Sequence, residues 1–277
     1  MNTNENYAYL KRLTRAGKLH TVCEEARCPN IHECWGRHRT ATFMLLGKTC
    51  TRRCGFCAVT CGKPGALDLA EPDRIAQAVR QMELRHAVLT MVTRDDLADG
   101  GASVVARTVQ ALRSAAGGCT LEVLCSDFKG SSASVAAVVQ SQPDIASHNL
   151  ETVRRLARAV KPGSTYARSL GFLTIVKRLD PAMITKSSLM LGLGETEAEV
   201  LEAMDDLRAA DVDIINLGQY LRPHRRCLAV QKYWTLEEFA RLRGIALNKG
   251  FAHCESGPLV RSSYHAEHQL GMYRDNA

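Results

Sequence analysis

An α/β fold built on a parallel sheet is expected for this chain, and three features of its sequence point there. Short apolar runs alternate with longer amphipathic stretches from residue 41 onward. The spacing between runs leaves room for a crossover helix, which parallel strands require. At 277 residues, with 45% hydrophobic and 23% charged content, one domain can bury a sizeable core. In order, the strand candidates are Ala41–Gly47, Ala87–Val92, Thr120–Cys125, Asp144–Ser147, Ser187–Leu191 and Asp213–Leu217. Between them the pattern predicts helices over Asp73–Leu84, Ala102–Ala116, Ser134–Gln140, Glu151–Val160, Tyr166–Leu179 and Glu195–Ala210. Pro72–Asp73 and Glu195–Thr196–Glu197 read as helix starts. Thr235–Ala246 reads as a last helix, its opening TLEE resembling a capping box. Six strands fall short of the eight in a closed barrel, so the sheet is either a doubly wound layer or an incomplete, splayed barrel. Both gather ligands at the C-terminal ends of the strands.

The head of the chain carries a different kind of signal. Cys23, Cys28 and Cys34 are spaced C-x4-C-x5-C, and Cys50, Cys54 and Cys57 are spaced C-x3-C-x2-C. A secreted disulfide scaffold would be short, loop-rich and even in its cysteines. This chain is long and has 11, six of them within residues 23–57. Metal or cluster ligation in a reducing, cytoplasmic compartment is the expectation. Three thiolates satisfy three irons of a cubane that needs four ligands, so each triplet leaves one iron open. An open metal position is where catalysis takes place, and an enzyme is expected. A zinc knuckle would instead favour four ligands in C-x2-C pairs, and a ferredoxin-like carrier would hold each cluster by four thiolates.

Charge and hydropathy exclude other classes. No run of 18 apolar residues exists, and the N-terminal MNTNENYAYLKRLTRAGKL lacks an apolar secretory core. The net charge of +7 suits an acidic protein, a phosphate-bearing ligand or nucleic acid. The positive residues are scattered, with clusters at Lys11–Arg12, Arg37–Arg39, Arg52–Arg53 and Arg222–Arg226. No aromatic-interleaved basic stripe occurs, which argues against nucleic acid.

The loop TRRCGFC, with Phe56 before the last cysteine and a strand before it, resembles the radical S-adenosylmethionine (SAM) superfamily. Further segments narrow the likeness: TVCEEARCPNIHECW, TATFMLLGKTCTRRCGFCAV, TRDDLADGGA, SHNLETV, LGLGET, GQYLRP and SGPLVRSSYHA. In that order, over about Asn6 to Ala266, they resemble the lipoyl synthase family. The likeness implies a partial (β/α)6 TIM-type barrel in one domain. Residues 1–40 would form an auxiliary-cluster extension, 41–220 the barrel core and 221–277 a C-terminal extension. Any longer leader of relatives is expected to be missing. Two [4Fe–4S] clusters are implied, with SAM as cosubstrate. Cys50, Cys54 and Cys57 would hold the cluster that cleaves SAM to methionine and a 5′-deoxyadenosyl radical. Cys23, Cys28, Cys34 and Ser263 would hold an auxiliary cluster that donates sulfur and is consumed.

The implied reaction inserts sulfur at C6 and C8 of an octanoyl group on a lysine of a lipoyl carrier domain, with one SAM per sulfur. Implied partners are octanoylated carriers of 2-oxoacid dehydrogenases or the glycine cleavage H protein, an electron donor, and an iron–sulfur carrier that rebuilds the spent cluster. Another two-cluster sulfur-inserting radical enzyme is the alternative. Unactivated C–H bonds offer no acid–base handle, so no catalytic carboxylate pair is expected beyond the clusters.

The remaining site candidates follow the strands. Asp99, Gly100 and Gly101 are expected near the methionine end of SAM, and Glu122 and Asn149 near its ribose or methionine. His148 could equally be a packed histidine, and Gly192–Gly194 could make room for adenine or form a tight turn. Arg52, Arg53 and Arg261 flank ligands, where they could tune redox potential or dock an acidic carrier; a solvated role fits Arg52 and Arg53 as well. Lys186 reads as a strand-start lysine. Cys61, Cys119, Cys125, Cys227 and Cys254 read as non-ligating. Cys61 departs from the family pattern, as do Met91, Thr93, Ser147 and Ser188, which leaves the cluster ligands untouched.

Overall fold

The computed structural model describes residues 5–25, 28, 30–35, 40–264, 266, 269, 271 and 273. Seven strands form one sheet: β1 (Thr40–Leu45), β4 (His86–Met91), β5 (Thr120–Leu124), β6 (Ile145–Ser147), β7 (Ile184–Leu191), β8 (Ile214–Gln219) and β9 (His253–Gly257). A separate two-residue ladder pairs β2 (Thr49–Cys50) with β3 (Thr60–Cys61). The main sheet runs in chain order and every pair is parallel. A doubly wound sheet reverses its strand order at a switch point. This one never does, so right-handed crossovers place all helices on one side and the sheet curls as a splayed barrel.

The crossovers carry α4 (Glu71–Gln81), α5 (Ala102–Ala115), α6 (Ser132–Gln140), α7 (Ala157–Val160) with α8 (Tyr166–Leu179), α9 (Glu197–Ala209) and α10 (Leu236–Asn248). These are six strand–helix units followed by a seventh strand, β9, which the sequence reading had not marked. Thr196 with Glu199 and Thr235 with Glu238 form capping boxes at the starts of α9 and α10. β1 and β8 are buried along their whole length, as strands covered on both faces should be.

One predicted helix does not form. From Glu151 to Leu156 the chain stays extended and turned, and only Ala157–Val160 is helical. Glu151, at φ 72°, donates its N–H to Ser188 O and accepts from Met190 N, so it is held by β7. That pairing keeps Asn149 and Glu151 at the barrel mouth.

The N-terminal head contains α1 (Glu5–Ala16), α2 (Val22–Glu25) and α3 (Ile31–Glu33). It touches both edges of the open sheet. Thr21 forms an antiparallel bridge to Phe43 on β1, and Asn30 Nδ2 donates to Leu259 O, just past β9. Edge strands expose unpaired backbone groups; the head pairs with the β1 edge and reaches the segment after β9. Arg37–Arg39 lie outside the described residues.

Candidate functional site

A cavity of about 590 Å³ opens at the C-terminal ends of the strands. Cys50, Cys54 and Cys57 line it from the loop after β1, Cys23 and Cys28 from the head, and Ser263 from the segment after β9. Cys34 stands half-buried at the end of α3, outside the lining. Five of the six triplet cysteines thus face one space.

The loop of the second triplet is held on three sides. Thr93 N and Arg52 N donate to Cys50 Sγ at 3.3 and 3.4 Å. Gly55 donates to Val160 O and accepts from Leu228 N, each at 2.8 Å. A Cβ on Gly55 would sit 2.8 Å from Leu228 Cδ1, so glycine is required by the close approach. Arg52 is buried, contrary to the solvated role open to it on sequence. Its guanidinium grips Asp95 at 2.7 and 2.9 Å and Asp127 at 2.6 Å. Five donors in a rigid fork suit it to bridge two carboxylates and fix the loop between Cys50 and Cys54. Arg53 is exposed.

The other ligand set is positioned by β8. Asn216 Nδ2 donates to Arg261 O at 3.1 Å and Ser262 O at 3.0 Å. Gly218 lets the segment approach so closely that a Cβ there would stand 2.2 Å from Val260 O. Arg261 lies within electrostatic reach of Cys28 and lowers the cost of its thiolate.

The donor chemistry fits iron–sulfur clusters. Burial pushes Cys54 up to about 12, aided by Cys57, and pushes Cys23 up to about 11, aided by Cys28. Burial likewise takes Cys57 to about 11. Thiols crowded and buried in this way become thiolates only when a metal supplies the opposing charge. Among the described residues no three His, Cys, Asp or Glu side chains converge as one metal ion would require. Three thiolates carried on one loop suit a cluster, which meets its ligands at separate irons.

Between the strand ends lies a polar wall that sequence reasoning found only in part. Asn149 lines the cavity, and its Oδ1 is buried without a hydrogen-bond partner among the described residues. Glu151 and Lys161 line it too and were missed. Burial raises the Glu151 carboxyl and lowers the Lys161 amine, against their mutual attraction. His148 Nδ1 donates to Cys125 O at 2.8 Å, leaving Nε2 to accept from Lys161 Nζ at 3.0 Å. Burial drives its pKa down to about 3, so the ring is neutral. Lys161 also donates to Asn149 O, fixing the strand end that carries both acceptors. Position 151 could have been suspected, because SHNLETV places a carboxylate two residues after Asn149.

Other predicted residues lie elsewhere. Asp99 accepts from Gly101 N and Ser103 N, both at 2.9 Å, starting α5. Gly101, at φ 90°, would drive a Cβ to 2.4 Å from Leu46 Cδ1. Neither they nor Gly100 line the cavity; Met91, Val92 and Thr93 do so from that loop. Glu122 is fully buried below the cavity, ion-paired to Lys186 Nζ at 2.6 Å and accepting from Ser147 Oγ at 2.8 Å. Lys186 is therefore an interior cation rather than a strand-start lysine. Gly192–Gly194 form a tight turn, with Gly192 N and Leu193 N both donating to Glu195. Cys227 Sγ contacts Cys57 O at 3.5 Å, and Cys61 pairs with Cys50 in the short ladder.

The sequence has relatives that cover it almost entirely. A family profile for the radical SAM superfamily matches residues 44–207. A lipoyl synthase of Halalkalibacterium halodurans is 57% identical over 270 residues, 98% of this chain and 89% of that protein. One of Shouchella clausii is 56% identical over 276 residues, 100% of this chain and 89% of that protein. Among solved structures, methylornithine synthase (PylB) superposes with a TM-score of 0.60 at 14% identity, covering 90% of this chain and 75% of that one. SuiB of Streptococcus suis, in a structure bound to SAM, gives 0.58 at 12% identity over 87% and 57% of the two chains. At such identities the structural likeness concerns the fold alone.

Proposed function

The chain belongs to the lipoyl synthase family of the radical SAM superfamily, and from that premise we propose that the cavity at the strand ends is where sulfur enters an octanoyl chain. It is an enzyme of sulfur insertion that uses [4Fe–4S] clusters and SAM, and its substrate is an octanoylated carrier. The observation that carries the site assignment is the meeting of Cys23, Cys28, Cys50, Cys54, Cys57 and Ser263 around one cavity. Cys50, Cys54 and Cys57 hold the cluster that, with SAM, supplies a hydrogen-abstracting 5′-deoxyadenosyl radical. Cys23, Cys28, Cys34 and Ser263 hold the second cluster, which is a sulfur substrate rather than a resident cofactor. Serine gives it a harder, more labile ligand than thiolate.

The protein's own part is binding, orientation and exclusion of water. Arg52 fixes the loop of the second triplet on Asp95 and Asp127. Asn149 Oδ1 and the Glu151 carboxyl present acceptors suited to an ammonium group, and Lys161 holds that wall in place. Met44, Met91, Leu124, Leu189 and Met190 give an apolar lining for an acyl chain. Residues 1–40 bring the sulfur-donating set to the core at 41–220, and 221–277 bring the serine.

Anaerobic incubation of an octanoylated carrier peptide with reductant and SAM, followed by mass spectrometry, tests this reading. Two C–H bonds should be replaced by two C–S bonds, with two 5′-deoxyadenosines formed per peptide. 5′-Deoxyadenosine without sulfur in the peptide would refute it.

A further inference from the structure

The mouth of the cavity is framed by two loops that carry positive charge and no carboxylate. Residues 48–65 contain Lys48, Arg52, Arg53 and Lys63 but neither Asp nor Glu; residues 221–233 contain Arg222, Arg225, Arg226 and Lys232, again with neither. Both loops contribute to the wall, through Arg52–Val59 residues on one side and Leu221, Arg222 and Pro223 on the other. They are stapled together by Leu228 N on Gly55 O and Cys227 Sγ on Cys57 O. Carboxylates from neighbouring segments are engaged by other cations: Asp95 and Asp127 by Arg52, Asp96 by Arg94 and Glu238 by Lys232, while Glu151 lies inside the cavity beside Lys161. Arg53, Lys63, Arg225 and Arg226 are exposed and make no ion pair among the described residues.

The second loop is pre-shaped. Arg222 folds back on its own loop, donating to Cys227 O at 2.9 Å and to Arg225 O. Arg226 N donates to His224 Nδ1 at 3.1 Å, and Tyr220 OH to Leu228 O at 2.9 Å. One arginine thus holds the turn that leaves its two neighbours outside. Ordering the backbone that carries these cations before binding lowers the entropic cost of using them. A cavity of about 590 Å³ takes a small molecule or an extended side chain, not a folded domain. Any protein presenting an acylated lysine must rest its body on this rim.

We propose that Arg53, Lys63, Arg225 and Arg226 form the docking surface for an acidic protein domain that inserts its acylated lysine into the cavity. The inference rests on the sulfur-insertion reading and names the partner surface that reading needs. Charges at an interface rim act mainly on encounter and on salt dependence.

The test uses the full chain with reconstituted clusters and two octanoylated substrates, an acidic lipoyl carrier domain and a short uncharged peptide. Arg225→Glu/Arg226→Glu should raise KM for the domain by about tenfold and leave kcat near its original value. KM for the uncharged peptide should stay within about twofold, which also shows that the variant is folded. Lys63→Glu should act in the same direction, and added salt should raise KM for the domain only. An unchanged domain KM in both variants, or an equal rise with the peptide, would overturn the docking surface. Failure of the unaltered protein to thiolate the peptide would instead overturn the sulfur-insertion reading, so the two failures are distinct.

Discussion

Replacing Lys186 by Met tests how the barrel floor is built. Glu122 and Lys186 precede Leu124 and Ser188 by two residues on their strands, and the latter two line the cavity. With side chains alternating between faces, the pair therefore lies in the layer just beneath. Both side chains are completely buried and 2.6 Å apart. At an effective dielectric of about 20, such a pair attracts by about 6 kcal/mol, close to the several kcal/mol of desolvation per ion. The pair contributes little net stability, yet breaking it leaves a buried carboxylate with only Ser147 Oγ and the more distant His86, at 3.8 Å. Loss of one partner costs about 3–5 kcal/mol. Unfolding entropy near 2.1 cal/mol/K per residue gives about 0.6 kcal/mol/K for 277 residues. Thermal unfolding should show Tm lowered by about 5–9 °C at pH 7.5, and Glu122→Gln/Lys186→Met should recover most of it.

The deficit should also depend on pH. Burial pushes the Glu122 carboxyl up, but Lys186 and His86 more than offset this and hold it at about 2. A depressed carboxylate contributes stability above its unfolded pKa of about 4.3, lost as pH falls through the folded value. Without Lys186 burial prevails, the folded carboxyl takes up a proton more readily, and the deficit should shrink as pH falls from 7.5 towards 5. A Tm within 1 °C of the parent, or a deficit that grows in acid, would refute the reasoning.

Substitutions at the two ligand sets should separate the half-reactions. Cys54→Ala should abolish SAM cleavage, whereas Cys28→Ala and Ser263→Ala should retain cleavage and lose sulfur insertion, both read by chromatography and mass spectrometry. Gly218→Ala pushes against Val260 O, 2.2 Å from the new Cβ; about half the cluster iron should be lost by metal analysis while cleavage survives. Asp99→Ala removes two backbone hydrogen bonds at the start of α5 and should lower Tm by about 2 °C, from roughly 1 kcal/mol. SAM affinity, measured by equilibrium dialysis, should be unchanged, because Asp99 stands outside the cavity lining.

What could be read from the chain alone was local. Alternation of apolar and amphipathic stretches marked six strands and most crossover helices, and Tyr166–Leu179 was placed at its observed bounds. Missed was β9, whose HCESG offers little apolar or β-branched content and is a strand because β8 pairs with it. Glu151–Leu156 carries a helical pattern but loses to a pairing with β7 more than 30 residues away. The cysteine triplets announced themselves by spacing, while Ser263 came only through family likeness. Glu122, expected near SAM from its place on the third predicted strand, is engaged by Lys186. A lysine within the equally apolar ITKSSLML was the signal for its partner, invisible until the strands were placed. Asp99–Gly101 illustrate the same limit, since glycines that start a helix and glycines that admit a ligand look alike in sequence.

The central claim is that sulfur crosses one cavity from the head-and-tail ligand set to a substrate activated at the other. A single turnover with clusters reconstituted from 34S-sulfide, in unlabelled medium, measures this directly. Both sulfurs of the product should be 34S, with iron released in step. Product carrying unlabelled sulfur, or formed while both clusters remain whole, would contradict it.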